Sequence, residues 1–348
     1  MFGYNNRIVI DDLHQIVSAN LPWERLNGKT VMVTGANGML ACYLTYTFLY
    51  LIEETKIDII VIALTRSEER TKSLYAPFIG KPYFKILVQD VSSPIEYIGG
   101  IDYIFHLAGN ASPMAINIDP VGILKSNLLG SFNVLELARK SHSKRVLFAS
   151  TREVYGAVDA KILTEQSFGA LNPLDRRSCY PESKRAAETI FNSYFNQYGI
   201  ESVIARIAHS YGPGMKITDD GRVMSDFVGN AVRNENIVLN SSGEAVRAFL
   251  YLSDAIVALM TILFNGKAGE AYNVSNETEP LPIFRVAQMI CDAFPEKGIK
   301  VVFSNEKPME GYCDYPRKGL DNTKLRSLGF NYQIGLKEGL IKTIRSYE

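Results

Sequence analysis

Several features that mark particular classes of protein are scarce in this sequence. There are only four cysteines in 348 residues, and they are too scattered to form a metal-binding pattern; they are Cys42, Cys179, Cys291 and Cys313. Widely spaced thiols of this kind are typical of a reducing cytoplasm. Basic and acidic residues each number 37, so no surplus of positive charge favours nucleic acid as a partner. We therefore expect a cytoplasmic protein without a metal site or a nucleic-acid partner.

Long apolar runs are also missing. The first twenty residues are interrupted by Asp11, Asp12 and His14, which is unlike the continuous apolar core of a secretory signal. No stretch elsewhere approaches the ~20 apolar residues that span a bilayer. The composition, with 47% hydrophobic and 21% charged residues, is that of an ordinary globular protein. No membrane partner is expected.

What the sequence does contain begins with a glycine-rich turn at residues 34–41, Thr-Gly-Ala-Asn-Gly-Met-Leu-Ala. The turn follows the apolar run at 31–33 and precedes further apolar residues, an order that predicts a buried strand, a tight turn and a helix. Glycines at such a turn let backbone N–H groups approach a pyrophosphate beside the positive end of the helix. The alternative is an ordinary strand-to-helix loop. The predicted dinucleotide contacts are Gly35, Asn37, Gly38, Met39 and Leu40.

Short apolar runs alternate with helical segments along the first two hundred residues. The predicted strands after the first are 59–64, 85–88, 103–107, 145–149 and 202–207, and the predicted helices include 40–53, 121–139 and 180–198. Nearly all-apolar strands that alternate with helices are typical of a parallel sheet covered on both faces. The predicted fold class is α/β, a doubly wound parallel sheet (Rossmann).

The texture of the sequence changes after about residue 210, where loops lengthen and strands become short. We predict an N-terminal extension at 1–28, a dinucleotide-binding domain at 29–210 and a smaller, mixed, mainly substrate-binding portion at 211–348, with some elements crossing the boundary. In the extension, Asp11 or Asp12 is predicted to cap a short helix that runs to about Ala19.

Tyr180 and Lys184 are candidates for proton transfer. Pro181 predicts that a helix begins near Tyr180, so the spacing of four places the phenol and the ammonium on one face. A nearby ammonium is expected to lower the pKa of the phenol. A surface pair on an amphipathic helix is the alternative, but polar residues at the end of the fifth strand, Thr151, Arg152 and Glu153, favour a site.

The residues after the second strand bear on which dinucleotide binds. An enzyme that uses NAD would place Asp or Glu here to accept from the ribose hydroxyls, whereas this chain has Thr65 and Arg66. Arg66 suits the 2′-phosphate of NADP. If Arg66 instead stacks on adenine or faces solvent, NAD binds, and both cofactors remain open.

These features together resemble the extended short-chain dehydrogenase/reductase family, which comprises nucleotide-sugar epimerases, dehydratases and decarboxylases. The resemblance rests on the glycine-rich turn, on the hydroxyl of Thr151 and on Tyr180-x-x-x-Lys184. It covers nearly all of residues 29–347. Further matching positions are Asp90-Val91, His106-Leu107-Ala108-Gly109, Asn127, Tyr211 to Gly214 and Arg247 to Asp254.

Within that family the sequence is most similar to UDP-glucuronate decarboxylases, in the stretches 172–180, 220–227 and 247–249. The resemblance implies that Tyr180 removes the proton of the sugar 4-hydroxyl while C4 loses a hydride to the nicotinamide. Thr151 shares this hydrogen bond, and Lys184 holds the ribose. The resulting ketone makes loss of CO2 from C5 easy, with Glu153 and Arg247 in the active site. Return of the hydride makes the cycle redox-neutral, so the dinucleotide stays tightly bound.

The resemblance also implies which residues contact the ligands, and that the protein is a homodimer formed through the helices at 121–139 and 180–198. The implied partner is a nucleotide-diphosphate sugar. The implied cofactor contacts beyond the turn are Thr65, Arg66, Asp90, Val91, Leu107, Ala108, Gly109, Asn127, Tyr180 and Lys184; the implied substrate contacts are Arg152, His209, Arg222, Arg247 and Arg317. Arg206 is a further candidate for binding the diphosphate.

Two positions depart from the family pattern. The 4,6-dehydratases carry Asp, and the decarboxylases usually a small Ser, where this chain has Arg152. His209 stands where these enzymes more often have Asn. The alternatives to decarboxylation are 4-epimerisation and, disfavoured by the missing Asp, 4,6-dehydration. An alternative of another class is a catalytically weak regulatory protein that binds a dinucleotide.

Overall fold

The structure is a computed structural model that describes residues 2–218, 220–304 and 318–348. Within these ranges the chain forms fifteen β-strands and eleven α-helices. The strands are β1 (Lys29–Thr34), β2 (Ile59–Thr65), β3 (Phe84–Val88), β4 (Tyr103–His106), β5 (Arg145–Thr151), β6 (Ile162–Leu163), β7 (Ser202–Ile207), β8 (Ser210–Tyr211), β9 (Ile237–Leu239), β10 (Val246–Arg247), β11 (Leu250–Tyr251), β12 (Ala271–Val274), β13 (Leu281–Pro282), β14 (Val301–Phe303) and β15 (Gly319–Leu320).

The helices and the short 3-10 turns complete the secondary structure. The helices are α1 (Arg7–Val17), α2 (Met39–Thr55), α3 (Glu68–Leu74), α4 (Pro113–Ile118), α5 (Pro120–Ser141), α6 (Cys179–Tyr198), α7 (Val223–Val232), α8 (Leu252–Asn265), α9 (Ile283–Ala293), α10 (Thr323–Arg326) and α11 (Leu336–Arg345). The 3-10 turns are Trp23–Leu26, Ala76–Phe78, Arg152–Tyr155, Arg176–Ser178 and Pro295–Lys297.

A parallel sheet in the order β12-β7-β5-β4-β1-β2-β3 forms the centre of the molecule. The chain order reverses at β1, which pairs with β2 on one side and β4 on the other. Ligands of doubly wound sheets bind at this reversal, beyond the carboxyl ends of the strands. The predicted fold class is therefore confirmed, including the strand at 202–207.

Both faces of the sheet are buried, which explains why its strands are almost entirely apolar. In β1, Val31 and Val33 belong to the apolar core shared with α2 and α8. Met32, between them, belongs to the core shared with α5 and α6. Every residue of such a strand faces a layer of helices, so the strand shows no polar alternation.

The seventh strand of the sheet, β12, comes from beyond residue 210 and was not among the predicted strands. It has four residues, and one of them is the buried, polar Asn273. The Tyr155 hydroxyl donates to the Asn273 side-chain oxygen at 2.5 Å. The side-chain amide of Asn273 donates to the carbonyls of Leu163 and Asp321 at 3.2 and 2.9 Å. A fully hydrogen-bonded polar residue interrupts the apolar signal at no cost to the fold.

A separate apolar core lies within residues 211–347, with Phe227, Ile290 and Leu340 among its members. We propose that the division at about residue 210 separates the two cores, with α8 and β12 returning to the sheet.

The first helix does not begin where the sequence analysis predicted. It starts after Asn6, whose side chain accepts from the Ile8 N–H, and it ends at Val17. Asp12 is not a cap but a fully buried residue in the middle of the helix. Its carboxylate accepts from the Tyr43 and Tyr251 hydroxyls at 2.6 and 2.7 Å and lies 2.6 Å from the Lys342 ammonium. The prediction failed because the tertiary partners of a carboxylate do not show in its local sequence.

We expect Asp12→Asn to lower the free energy of unfolding by about 2 kcal/mol, since hydrogen bonds to charged groups contribute on this scale. The neutral amide cannot form an ion pair with the Lys342 ammonium, which is 17% exposed. Urea unfolding measures the effect. Asp11→Asn is the matched control, because Asp11 is exposed on the same helix. Equal midpoints for the two variants would contradict the prediction.

Candidate active site

The glycine-rich turn joins β1 to α2 at the centre of the sheet edge. Gly35 has φ +67°, and a Cβ on it would lie 2.8 Å from the Ala108 Cα. Gly38 is the N-cap of α2, and its N–H donates to the Gly35 carbonyl at 2.8 Å. The Thr34 hydroxyl accepts from the Ala108 N–H at 3.1 Å and contacts His106 Nδ1 at 2.9 Å. The turn and the end of β4 are thus held in close contact, beside the positive end of a seventeen-residue helix.

The turn is also connected to the end of β2. The Asn37 amide donates to the Thr65 hydroxyl at 2.8 Å, and its carbonyl oxygen accepts from the Thr71 hydroxyl at 3.0 Å. Beyond Thr65, the Arg66 side chain is 79% exposed and its guanidinium lies 3.7 Å from the Asp90 carboxylate. Asn37 therefore braces the loop in which the adenosine end of a dinucleotide lies in this kind of fold.

Buried polar groups near the end of β4 show whether the residues present fit a dinucleotide. The Asn127 amide donates to the Ser183 hydroxyl at 2.8 Å, but its side-chain oxygen is buried without a hydrogen-bond partner among the described residues. A Cβ on Gly109 would lie 2.9 Å from this oxygen and 3.3 Å from the Lys184 ammonium. The Asn127 oxygen can accept and the Lys184 ammonium can donate, and Gly109 has no side chain to fill the space beside them. This combination suits the hydroxyl groups of a ribose. The residues present fit the predicted cofactor.

Tyr180, Thr151 and Lys184 come together at the end of β5. Each is less than 8% exposed. The Thr151 hydroxyl is close enough to the Tyr180 phenol to lower its pKa, and it accepts from the Glu153 N–H at 3.2 Å. The Lys184 ammonium donates to the Ala149 carbonyl at 2.7 Å. The pair on α6 is therefore not a surface pair, because the helix presents it to the strand end.

One predicted property of this group is wrong. Burial, followed by the charge of Glu153, raises the pKa of Tyr180 well above its usual value; Thr151, Arg222 and Arg177 offset this only in part. Burial also lowers the pKa of Lys184 to about 7, against the opposing charge of Glu188. Desolvation outweighs any lowering of the phenol pKa by a neighbouring charge, and the Lys184 ammonium is directed to the Ala149 carbonyl.

The shifted pKa of Lys184 predicts a pH-dependent stability. The unfolded chain binds this proton up to pH ~10.4, whereas the folded chain releases it near pH 7. The unfolded state therefore binds more protons between these values, and stability rises with pH through that window. We expect the urea midpoint of the parent to rise, relative to Lys184→Met, as the pH increases from 7 to about 9.5. Parallel profiles would contradict this.

A second set of side chains lies near Tyr180. The Glu153 carboxylate lies 3.3 Å from the Arg177 guanidinium. The guanidinium of Arg222 pairs with the buried carboxylate of Asp220, and it is close enough to influence the pKa of Tyr180. These contacts bring Glu153 and Arg222 to the site, as predicted. They add Arg177 and Asp220, which sequence reasoning missed although both lie in stretches that carry the family resemblance.

His209 joins the two remaining predicted arginines. Its Nε2 atom lies 3.0 Å from Nη1 of Arg152, and its backbone has φ +47°. Desolvation by the surrounding protein, then the charges of Arg152 and Arg247, lower the pKa of His209 below its usual value. The side chain is nevertheless exposed to solvent. Arg247 itself donates to the Val246 carbonyl at 2.8 Å. Arg152 and His209 are thus in direct contact, and Arg247 is near enough for its charge to act on the histidine.

Two other predicted residues are not part of this group. Arg206 forms an ion pair with Glu188 at 2.6 Å, and both side chains are less than 15% exposed, so it is not directed at a diphosphate. Of the two interpretations of Arg206, a phosphate ligand or an ion pair, the structure shows the ion pair. Arg317 lies outside the described residues.

Among the described residues, no His, Cys, Asp and Glu side chains cluster as a metal site would require. None of the helices in the described part of the chain has the length and apolar character needed to cross a membrane.

Proteins with similar sequences carry a shared description. UDP-glucuronic acid decarboxylase 6 of Arabidopsis thaliana is 36% identical over 315 residues, which cover 89% of this chain and 86% of the relative. UDP-glucuronic acid decarboxylase 1 of Xenopus tropicalis is 34% identical over 321 residues, which cover 92% of this chain and 72% of the relative.

Solved structures share the fold at lower identity. UDP-glucose 4-epimerase of Thermotoga maritima, solved with UDP-glucose, superposes with a TM-score of 0.76 at 22% identity, over 91% of this chain and 98% of the other. A dTDP-glucose 4,6-dehydratase of Streptomyces venezuelae, solved with NAD and TYD, gives 0.75 at 23% identity, over 91% and 96%. The family model described as NAD dependent epimerase/dehydratase matches residues 31–275. With this match across the sheet and the site, the chain belongs to the NAD dependent epimerase/dehydratase family.

Proposed function

We propose that this protein is an enzyme that modifies a nucleotide-diphosphate sugar through transient oxidation at C4. The observation that carries the proposal is the buried group of Thr151, Tyr180 and Lys184 beside the glycine-rich turn. A protein that only bound a dinucleotide for regulation would need no such group next to the nicotinamide end of the groove. When bound, the dinucleotide supplies the hydride acceptor and donor, so the cycle needs no external redox partner.

The side chains have separate roles in this proposal. Tyr180, held neutral by its surroundings, exchanges the proton of the sugar 4-hydroxyl, and Thr151 shares that hydrogen bond. Lys184, together with the unsatisfied oxygen of Asn127, binds the ribose. Glu153 lies close enough to raise the pKa of Tyr180, which suits a group that acts at C5, next to C4.

Decarboxylation of a UDP-glucuronate-like sugar is the proposed reaction. Sequence relatives that cover most of the chain are named UDP-glucuronic acid decarboxylases. Once C4 is a ketone, the carboxylate on C5 is a β-keto acid; the C5–C6 bond breaks, its electron pair enters the C4–C5 enolate, and CO2 leaves. A proton then returns to C5 before C4 is reduced.

A specific observation supports 4-epimerisation as a second candidate. Arg152 follows Thr151 directly. If its guanidinium pairs with the sugar carboxylate, it stabilises the charged substrate more than a decarboxylation transition state in which the carboxylate is losing its negative charge. Such a pair would favour reactions that keep the carboxylate. Dehydration is not supported, since a guanidinium cannot serve as the acid that an elimination of water requires.

We propose NAD as the bound dinucleotide. A 2′-phosphate beside Arg66 would also face the Asp90 carboxylate, 3.7 Å from that guanidinium, and like charges at this range oppose binding. The family description names NAD as well. Mass spectrometry of the nucleotide released on denaturation distinguishes NAD from NADP.

Incubation of the purified protein with UDP-glucuronate labelled at C6 tests the reaction. Labelled CO2 with a UDP-pentose is the expected result, and UDP-galacturonate that keeps its label identifies the second candidate. Tyr180→Phe is the control for contaminating activity. A product that appears only when NAD is added and reduced in equal amount would contradict a redox-neutral cycle.

We also propose that the protein is a homodimer formed through the outer faces of α5 and α6. Three apolar residues along α5 are 45–57% exposed: Val121, Leu129 and Phe132. Light scattering of the double variant Leu129→Glu/Phe132→Glu is expected to give the monomer mass where the parent gives the dimer mass, because two buried carboxylates would oppose association. Phe168→Glu, at a site 86% exposed elsewhere, is the control. An unchanged mass would contradict the proposed interface.

We propose a cytoplasmic location because the described cysteines do not form disulfides. Cys42, Cys179 and Cys291 are free thiols, a state typical of a reducing compartment.

A further inference from the structure

We propose that Arg152, positioned by His209, binds a carboxylate at C5 of the sugar and so selects uronic-acid nucleotide sugars over neutral ones. The inference rests on the proposed function and adds to it a residue that determines substrate specificity. It applies whether the carboxylate is later lost or kept.

The position of Arg152 follows from the sheet. Thr151 ends β5 and is in register with Ile207, which ends the neighbouring β7. Arg152 and His209 continue from these two ends, and their side chains meet at 3.0 Å. The pair therefore spans the gap between two strand ends at the edge where the Tyr180 phenol lies.

The hydrogen bond between the pair has only one possible direction. A guanidinium donates and cannot accept, so Nε2 of His209 must accept and its proton must be on Nδ1. Nη2 of Arg152 also donates to the Lys318 carbonyl at 3.3 Å. His209 and the Lys318 carbonyl accept from two different nitrogens of the guanidinium and so hold its plane. Fixed planar donors are what bidentate recognition of a carboxylate requires.

The backbone of His209 supports a positioning role. Its φ of +47° lies in the left-handed region, where residues other than glycine are uncommon and where strain is typical of functional sites. The ring also packs against Phe249, with centroids 5.9 Å apart. These contacts direct Nε2 at the guanidinium.

The anion that Arg152 meets is next to the reacting carbon. The Thr151 hydroxyl is close enough to the Tyr180 phenol to lower its pKa, and in the proposed function these two hydroxyls bind the 4-hydroxyl of the sugar. Arg152 follows Thr151 in the chain, and C5 is bonded to C4, so the proposal assigns Arg152 to the substituent on C5. The diphosphate is attached at C1, across the ring from C4, and a carboxylate on C5 is thus the anion within reach.

Binding measured without turnover tests the inference. UDP-glucuronate and UDP-glucose differ only at C6, which is a carboxylate in the first and a hydroxymethyl group in the second. Both are titrated calorimetrically into Tyr180→Phe, which is expected not to convert them. Both are also titrated into the double variant Tyr180→Phe/Arg152→Ser. Because a hydrogen bond to a charged group is lost, the double variant is expected to bind UDP-glucuronate about 10- to 100-fold more weakly. Its affinity for UDP-glucose should be unchanged. Arg152→Lys should restore part of the affinity, and Arg176→Ser, at an exposed arginine bound to the Asn117 carbonyl, should change neither ligand.

The outcomes separate this inference from the proposed function. Equal losses for both sugars would mean that Arg152 supports the fold or holds the nucleotide, which overturns the inference. Unchanged binding of both would overturn it too and leave the proposed function intact. If neither sugar binds Tyr180→Phe, the proposed function is wrong and the inference falls with it.

Discussion

Tyr180→Phe is expected to lower kcat for UDP-glucuronate by about 10²- to 10⁴-fold, the range that a positioned proton donor and acceptor supplies. The phenol is 6% exposed, so water has little access to replace the missing hydroxyl. KM should change little, because the removed oxygen acts chiefly in the transition state. Product formation under saturating substrate, followed by chromatography of the nucleotide sugars, is the measurement.

The control for this variant comes from the same helix. Tyr198 is the last residue of α6 and is 48% exposed, so Tyr198→Phe removes a phenol hydroxyl far from the strand ends. Its kcat should equal that of the parent. If Tyr180→Phe also keeps the rate of the parent, the assignment of Tyr180 to proton transfer is wrong.

Gly35→Ala is expected to lower the dinucleotide bound per protein by tenfold or more. A left-handed φ costs an alanine roughly 1–2 kcal/mol, and here the new methyl would also lie 2.8 Å from the Ala108 Cα, a backbone atom that cannot move aside. The turn and the end of β4 must separate, and each 1.4 kcal/mol lost in binding is a factor of about ten. Quantification of the dinucleotide released by denaturation is the measurement.

Gly28→Ala separates the two causes. Gly28 has φ +70°, close to that of Gly35, yet nothing lies within 4 Å of an added Cβ. This variant carries the backbone cost alone and should keep its dinucleotide. If both variants lose the dinucleotide equally, backbone strain and not the contact with Ala108 explains the loss.

The sheet could be predicted because its physical signal is local. The run at 59–64 faces helices on both sides of the sheet, so all six of its residues are apolar and the pattern is visible without tertiary information. The site could be predicted in outline for a related reason: parallel strands end at one edge, and polar residues after them must meet there. Thr151 and Tyr180 follow this rule.

What could not be predicted depends on contacts between distant segments. The partner of Arg206 is Glu188 on α6, and the sequence near Arg206 does not indicate this ion pair. The raised pKa of Tyr180 is set first by burial, whereas the spacing to Lys184 suggested only a neighbouring charge. Asn273 hid β12 because its hydrogen bonds come from residues more than 40 positions away.

The buried Asp12 carboxylate also bears on how the chain reaches its folded state during synthesis. Its partners Tyr43 and Tyr251 are 31 and 239 positions away in sequence, and its cation, Lys342, lies near the end of the described chain. Tyr43 is in the second turn of α2, the helix that the dinucleotide turn begins. A nascent chain that has not yet been extended to α11 therefore lacks the charge that lets α1 bury its carboxylate against the cofactor helix, and this docking becomes a late step in folding.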